Sequence, residues 1–223
     1  MPLHEIIPVP DGLVGIWQIT ESCAELLPHF TPKEQKNPDF LKFSFEKRKV
    51  EWLCTRLLLK NLIGEHRISY SDHGKPILEH EFYNFISISH SRDFVAVLAH
   101  KNCEVGIDVE SLSRNYSAVL IKYLSDDEII QTGGNILLQS LYWCAKEAIF
   151  KLVPEDGVEF RKQIHILPFD PKATDQFHAR FISGEKQTSC LLHFKILANN
   201  CLVWVVDETN PKEEQHGEKD HSI

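Results

Sequence analysis

The segment Gly106-Ile107-Asp108-Val109-Glu110 constrains the fold more than any other stretch, because it sets two carboxylates inside an apolar run. If the run is extended, side chains alternate between faces, so Asp108 and Glu110 share one face while Ile107 and Val109 turn to the core. Further on, Trp143-Cys144-Ala145-Lys146-Glu147-Ala148-Ile149-Phe150-Lys151 reads as a helix. There Trp143, Glu147 and Lys151 fall at i, i+4 and i+8 and line one face. Taken alone, an Asp-x-Glu pair is usually a solvated strand end, and Glu147 with Lys151 is a surface pair of about 0.2–0.5 kcal/mol. Taken together, three converging acids could hold a hard cation, which prefers oxygen ligands and keeps waters and substrate phosphates in its shell.

Around these motifs the pattern is mixed helix and sheet. Residues 13–20 read as a strand, and residues 46–63 as an amphipathic helix burying Val50, Leu53, Cys54, Leu57 and Leu58, with Gly64 as its stop. After a Gly74-Lys75-Pro76 turn, residues 85–89, 94–100 and 105–109 read as strands, the last two joined through Lys101 and Asn102 as a hairpin. Ser125 with Glu128 forms a capping box, Gly133-Gly134 breaks the pattern, and Asn135 caps a longer helix ending near Val153, before Pro154. Residues 164–169, 176–182 and 189–207, the last split at Asn199-Asn200, predict a small antiparallel meander. From residue 208 the sequence is polar and is expected to be a solvated tail.

The 223 residues suffice for one large core or two closely packed halves. Hydrophobic residues at 43% and charged residues at 25% are ordinary for a globule, and no apolar run nears the ~18 residues of a membrane span. Met1-Pro2-Leu3-His4-Glu5 shows no secretory pattern. The six cysteines include no Cys-x-x-Cys pair and read as buried thiols of a cytoplasmic protein. Twelve histidines without metal-pair spacing give no reason to expect zinc, and a formal charge of -8 argues against nucleic acid.

The order and spacing of Gly74-Lys75-Pro76, Ile88-Ser89-His90-Ser91, the apolar run 94–99 and the two carboxylate motifs resemble the 4'-phosphopantetheinyl transferases, in particular their larger, Sfp-like branch. The resemblance covers roughly residues 45–165. It implies an α+β chain of two similar halves packed as a pseudo-dimer and joined near residues 105–112. The expected division is 1–108, 109–207 and a polar tail, 208–223. The implied activity is magnesium-dependent transfer of 4'-phosphopantetheine from coenzyme A to a serine of an acyl or peptidyl carrier protein, releasing adenosine 3',5'-bisphosphate. Such a protein would serve fatty acid or secondary metabolite synthesis in the cytoplasm, as a monomer with no nucleic-acid or membrane partner.

By the same resemblance, Asp108, Glu110 and Glu147 are the metal ligands and Lys151 contacts the diphosphate. Glu147 is the expected base, with Glu110 acting through a metal-bound water the alternative. His90, otherwise read as a turn histidine, would meet the 3'-phosphate. Lys75, otherwise turn decoration, would sit at the diphosphate or nucleotide; Ser89 and Arg48 complete the coenzyme set, Arg48 being chosen from the basic group Lys47, Arg48, Lys49 and Arg56. Trp143 is expected to be structural, and Lys146 either a functional neighbour or a solvated lysine. The carrier would meet Arg114, Lys122, Val119, Leu120 and Tyr123. Two rival readings are a metal-dependent phosphohydrolase or nuclease, and a non-catalytic coenzyme A or carrier-binding module.

Overall fold

A computed structural model describes residues 3–116, 119–153, 157–209 and 211. Pro154 and the expected tail from residue 212 lie outside the described residues. In chain order the elements are β1 (Leu3–Val9), β2 (Gly12–Gln18), α1 (Cys23–Leu26), α2 (Pro38–Leu41), α3 (Glu46–Ile63), β3 (Arg67–Tyr70), β4 (Pro76–Glu79), β5 (Phe85–His90), β6 (Phe94–His100), β7 (Val105–Ser111), α4 (Leu120–Tyr123), α5 (Asp126–Thr132), α6 (Ile136–Leu152), α7 (Phe160–Gln163), β8 (Ile164–Ile166), β9 (Gln176–Ser183), β10 (Lys186–Leu197) and β11 (Asn200–Val206).

The first sheet has the order β1-β2-β6-β5, antiparallel throughout, and β3 with β4 forms a separate hairpin. Every residue of β6 is buried, which requires cover on both faces. Alternation divides them: Val95 and Val97 pack with Leu53, Cys54, Leu57 and Leu58 of α3, whereas Phe94, Ala96 and Leu98 pack with Ile107, Val109, Leu202 and Trp204 of the second sheet. α3 ends where Gly64, at φ 78°, returns its N–H to the Lys60 carbonyl.

The second sheet has the order β7-β11-β10-β9-β8 and is covered by α6. Asn135 caps α6 by accepting from the Leu137 and Leu138 amides, and the Ser125–Glu128 capping box starts α5. β8 to β11 form the expected antiparallel meander. Of the residues expected to meet a partner, Lys122 is exposed, but Val119, Leu120 and Tyr123 pack against the second core. Ile121 is the exposed apolar side chain of that helix, at 69%.

The expected hairpin of residues 94–100 with 105–109 does not form. Both edges of β6 are already taken, by β2 and β5, and β7 pairs instead with β11. The sheets meet where β5 and β7 lie side by side, and the link is made by side chains: the Ser87 and Ser89 hydroxyls accept from the Ile107 and Val109 amides at 3.1 and 3.3 Å. β7 is equally constrained from the helix side. A Cβ at Gly106 would stand 1.9 Å from the Ala148 carbonyl oxygen of α6. Only glycine permits this approach of strand to helix. We predict that Gly106→Ala lowers unfolding free energy by about 2–4 kcal/mol, an overpacking cost at the upper end of such substitutions, measured by urea denaturation; wild-type stability would disprove the close approach.

Candidate active site

β7 delivers its acids as the alternation requires. Asp108 is only 6% exposed, and Ile107 and Val109 lie in the core between the sheets. Asp108 Oδ1 accepts from Ser89 Oγ at 2.7 Å and from Lys151 Nζ at 2.8 Å. Lys151 also donates to the Ile107 carbonyl at 2.9 Å, so the lysine is fixed against β7 twice. Asp108 Oδ2 is buried with no hydrogen-bond partner. Two residues on, Glu110 Oε1 accepts from the indole N–H of Trp143 at 3.1 Å and from Arg114, whose guanidinium lies 4.6 Å over the Trp143 ring.

Glu147 sits on α6 one turn from each of Trp143 and Lys151. Burial, followed by repulsion from Asp108, pushes its carboxyl up to about 7 against the pull of Lys151; Glu110 adds to the rise. Glu110 is raised for the same reasons, burial first and Asp108 second, with Arg114 opposing. The three acids therefore feel one another in a poorly solvated site. A buried orphan carboxylate oxygen beside two carboxyls with raised pKa suits a divalent cation. Among the described residues no group of three His, Cys, Asp or Glu side chains is placed to hold a metal ion as it stands, so a cation here would need the acids to draw together or to be bridged by water or substrate oxygens.

A second cluster lies next to the first. Arg48 of α3 approaches His90 Nε2 of β5 at 3.2 Å and binds Glu51 at 2.9 Å. Burial holds the His90 imidazole below its usual range; Glu51 raises it, and Arg48 and Lys151 lower it. The two clusters adjoin through β5, where Ser89 of the first is followed directly by His90 of the second. His90 and Ser89 are consecutive on a strand and point to opposite sides, His90 to Arg48 and Ser89 to Asp108. Arg48, His90, Tyr70 and the Gly74 and Pro76 turn line a cleft of about 780 Å³. A larger groove of about 1600 Å³ between β1 and the β10–β11 face includes none of these residues.

The structure thus joins Asp108 to Lys151, Glu110 to Trp143 and Arg114, and separately Arg48 to His90, while Glu147 stands near enough to feel the charges of Asp108, Lys151 and Glu110. Lys75 points elsewhere: its ammonium is 2.9 Å from Glu104 Oε2, although the flanking Gly74 and Pro76 border the cleft. The Ser89 hydroxyl is spent on Asp108 and the Val109 amide. Lys146 is neither a solvated lysine nor part of the site. It is fully buried, 2.8 Å from Glu128 and within hydrogen-bond distance of the Phe160 and Ile164 carbonyls. Sequence reasoning gave Arg114 no role beside Glu110 and passed over Glu51, although each stands at i,i+4 or i,i+3 to its partner, a spacing that was open to inspection.

Residues 104–203, a little under half of the chain, match the family model of the 4'-phosphopantetheinyl transferase superfamily. The matched stretch contains both carboxylate motifs; Arg48, Lys75 and His90 precede it. No curated protein matches the chain.

Two predictions follow from the buried charges. The folded-state pKa of Glu147 is raised, so its stabilising contribution is full below the unfolded value near 4.5 and is lost as pH rises through about 7. Glu147→Gln should therefore gain stability relative to wild type between pH 4 and pH 8 without divalent metal, by at most about 3 kcal/mol. A stability difference that is flat with pH would contradict this environment. Lys146→Ala leaves Glu128 buried without its cation and should cost about 3–5 kcal/mol in chemical denaturation; a loss below 1 kcal/mol would show that water reaches the pair.

Proposed function

We propose that the protein transfers 4'-phosphopantetheine from coenzyme A to a serine hydroxyl of an acyl or peptidyl carrier protein, with magnesium, and releases adenosine 3',5'-bisphosphate. The observation that carries this reading is the adjacency of the carboxylate and lysine cluster to the Arg48–His90 pair, within reach of one elongated, multiply phosphorylated substrate. The superfamily match at 104–203 supports it. So does the arrangement of two helix-covered sheets meeting along β5 and β7, which suits the two-half, Sfp-like branch. The proposed division is 1–108, 109–207 and a tail from 208, with β7 contributing to both sides of the joint. A cytoplasmic monomer remains part of this proposal.

Asp108, Glu110 and Glu147 would hold the magnesium ion, which as a Lewis acid neutralises charge on the diphosphate. Ser89 and Lys151 keep Asp108 in place, and Arg114 with Trp143 does the same for Glu110. Lys151 offers positive charge to the diphosphate. Glu147 is the better base for the serine proton: a carboxyl at about 7 is matched to neutral pH, whereas Glu110 is engaged by a guanidinium and an indole. Arg48 and His90 would receive the 3'-phosphate. Lys75 would have to leave Glu104 to reach the coenzyme.

Incubation with coenzyme A, magnesium and an apo carrier should add the phosphopantetheine mass to the carrier. Asp108→Ala, Glu110→Ala and Glu147→Ala should each slow this by about 100-fold or more, the scale of losing a preorganised electrostatic contact, while circular dichroism shows a retained fold. Hydrolysis of coenzyme A without carrier modification would favour the phosphohydrolase reading, and binding without turnover the non-catalytic one.

A further inference from the structure

Glu51 has no part in the transfer chemistry, yet it lies beneath two cations and an imidazole. Its side chain is 5% exposed, and around it stand Arg48 at 2.9 Å, Lys47 at 3.6 Å and His90 at 3.7 Å, whose own side chains are 54%, 65% and 37% exposed. The carboxylate is thus the buried member of the group, and the two cations and the imidazole are the more exposed ones. Helical geometry supplies two of them, since Lys47 and Arg48 sit four and three residues before Glu51 on α3; His90 arrives from β5, 42 residues beyond Arg48.

Lysine and arginine side chains on a helix surface spread into solvent, and the two like charges of Lys47 and Arg48, beside the His90 imidazole, repel at this separation. A buried carboxylate reverses that tendency by giving all three one centre to face. Arg48 retains unused N–H donors, because a guanidinium has five and its NH1 alone serves Glu51 and His90. The cluster therefore presents donors to the cleft with the entropy of gathering them already lost in the free protein.

We propose that Glu51 is a positioning residue for the terminal phosphate monoester of the coenzyme, gathering Arg48, Lys47 and His90 into one receptor without touching the ligand. This rests on the coenzyme A reading of the cleft. Charge alone argues the opposite, because removing an anion near a phosphate should tighten binding; orientation argues for weakening. The geometry favours orientation, since the Glu51 side chain, although it borders the cleft, is only 5% exposed and is engaged by Arg48.

The test compares wild type, Glu51→Gln and Glu51→Asp with coenzyme A and with dephospho-coenzyme A, which lacks the 3'-phosphate. Dissociation constants come from calorimetry and kcat from transfer to an apo acyl carrier protein. Glu51→Gln should weaken coenzyme A about tenfold, the equivalent of one charge-assisted hydrogen bond. It should leave dephospho-coenzyme A and kcat within about twofold, and Glu51→Asp should recover part of the loss. Equal weakening of both ligands, as a fold defect would produce, overturns the proposal, as does tighter binding of coenzyme A by Glu51→Gln. Failure of the wild type to bind coenzyme A would instead refute the cleft reading on which the proposal stands.

Discussion

The seam between β5 and β7 is the constraint on which the site depends. Two strands at this distance would ordinarily exchange backbone hydrogen bonds, but here serine hydroxyls of β5 meet the amides of β7. The substitution satisfies buried N–H groups that would otherwise destabilise the joint by about 1–3 kcal/mol each. It also turns a side chain to use. Ser89 accepts from one residue of β7 and donates to its neighbour Asp108, so one hydroxyl both closes the seam and orients the acid.

α6 is registered against this seam from three directions. Gly106 lets the strand backbone approach Ala148, Lys151 reaches back to Ile107 and Asp108, and Lys146 anchors the opposite side of the helix to Glu128. Glu128 in turn accepts from the Ser125 and Ile166 amides, joining α5 and β8 to the same point. Neighbouring residues 146 and 147 thus do opposite things. Lys146 faces inward and fixes the roll of the helix, and that roll sends Glu147 and Lys151 toward β7. A buried pair of this kind adds little net stability but leaves a costly unpaired charge if the helix turns.

What was legible in the sequence was whatever periodicity determines. α3 and β6 have the expected bounds, and the acids of β7 share a face because alternation admits nothing else. Pairing partners were less accessible. A short link between residues 94–100 and 105–109 suggested a hairpin, but closeness in sequence does not reveal that β2 and β5 already occupy both edges of β6. β1 escaped notice because its residues alternate only between half-buried and exposed, giving a weak apolar signal, and it carries Pro8 on a sheet edge. Lys146 was misjudged because lysines are seldom buried, and its three oxygen partners come from residues 14 and 18 positions away. The Arg48–His90 contact spans 42 residues and was open only to resemblance.

Net charge and site charge point in different directions, and distance decides between them. The formal charge of -8 repels anions at long range, but at physiological salt this field is screened over about 8 Å. Within that length the cleft presents Arg48 and His90, with Lys47 beside them on α3 and Lys151 at the adjoining acids. An anionic ligand inside the cleft therefore responds to these groups in a partly desolvated setting, where each charge acts more strongly than at the surface. The acids behave likewise. Burial, with repulsion from Asp108 added to it, raises the carboxyls of Glu110 and Glu147, and among the described residues the protein cations hydrogen-bonded to the trio are Lys151 and Arg114. The fold holds a surplus of negative charge at one end of the site and a group of cations at the other, so the free protein is electrostatically incomplete in a way that a metal ion and a phosphate together would relieve.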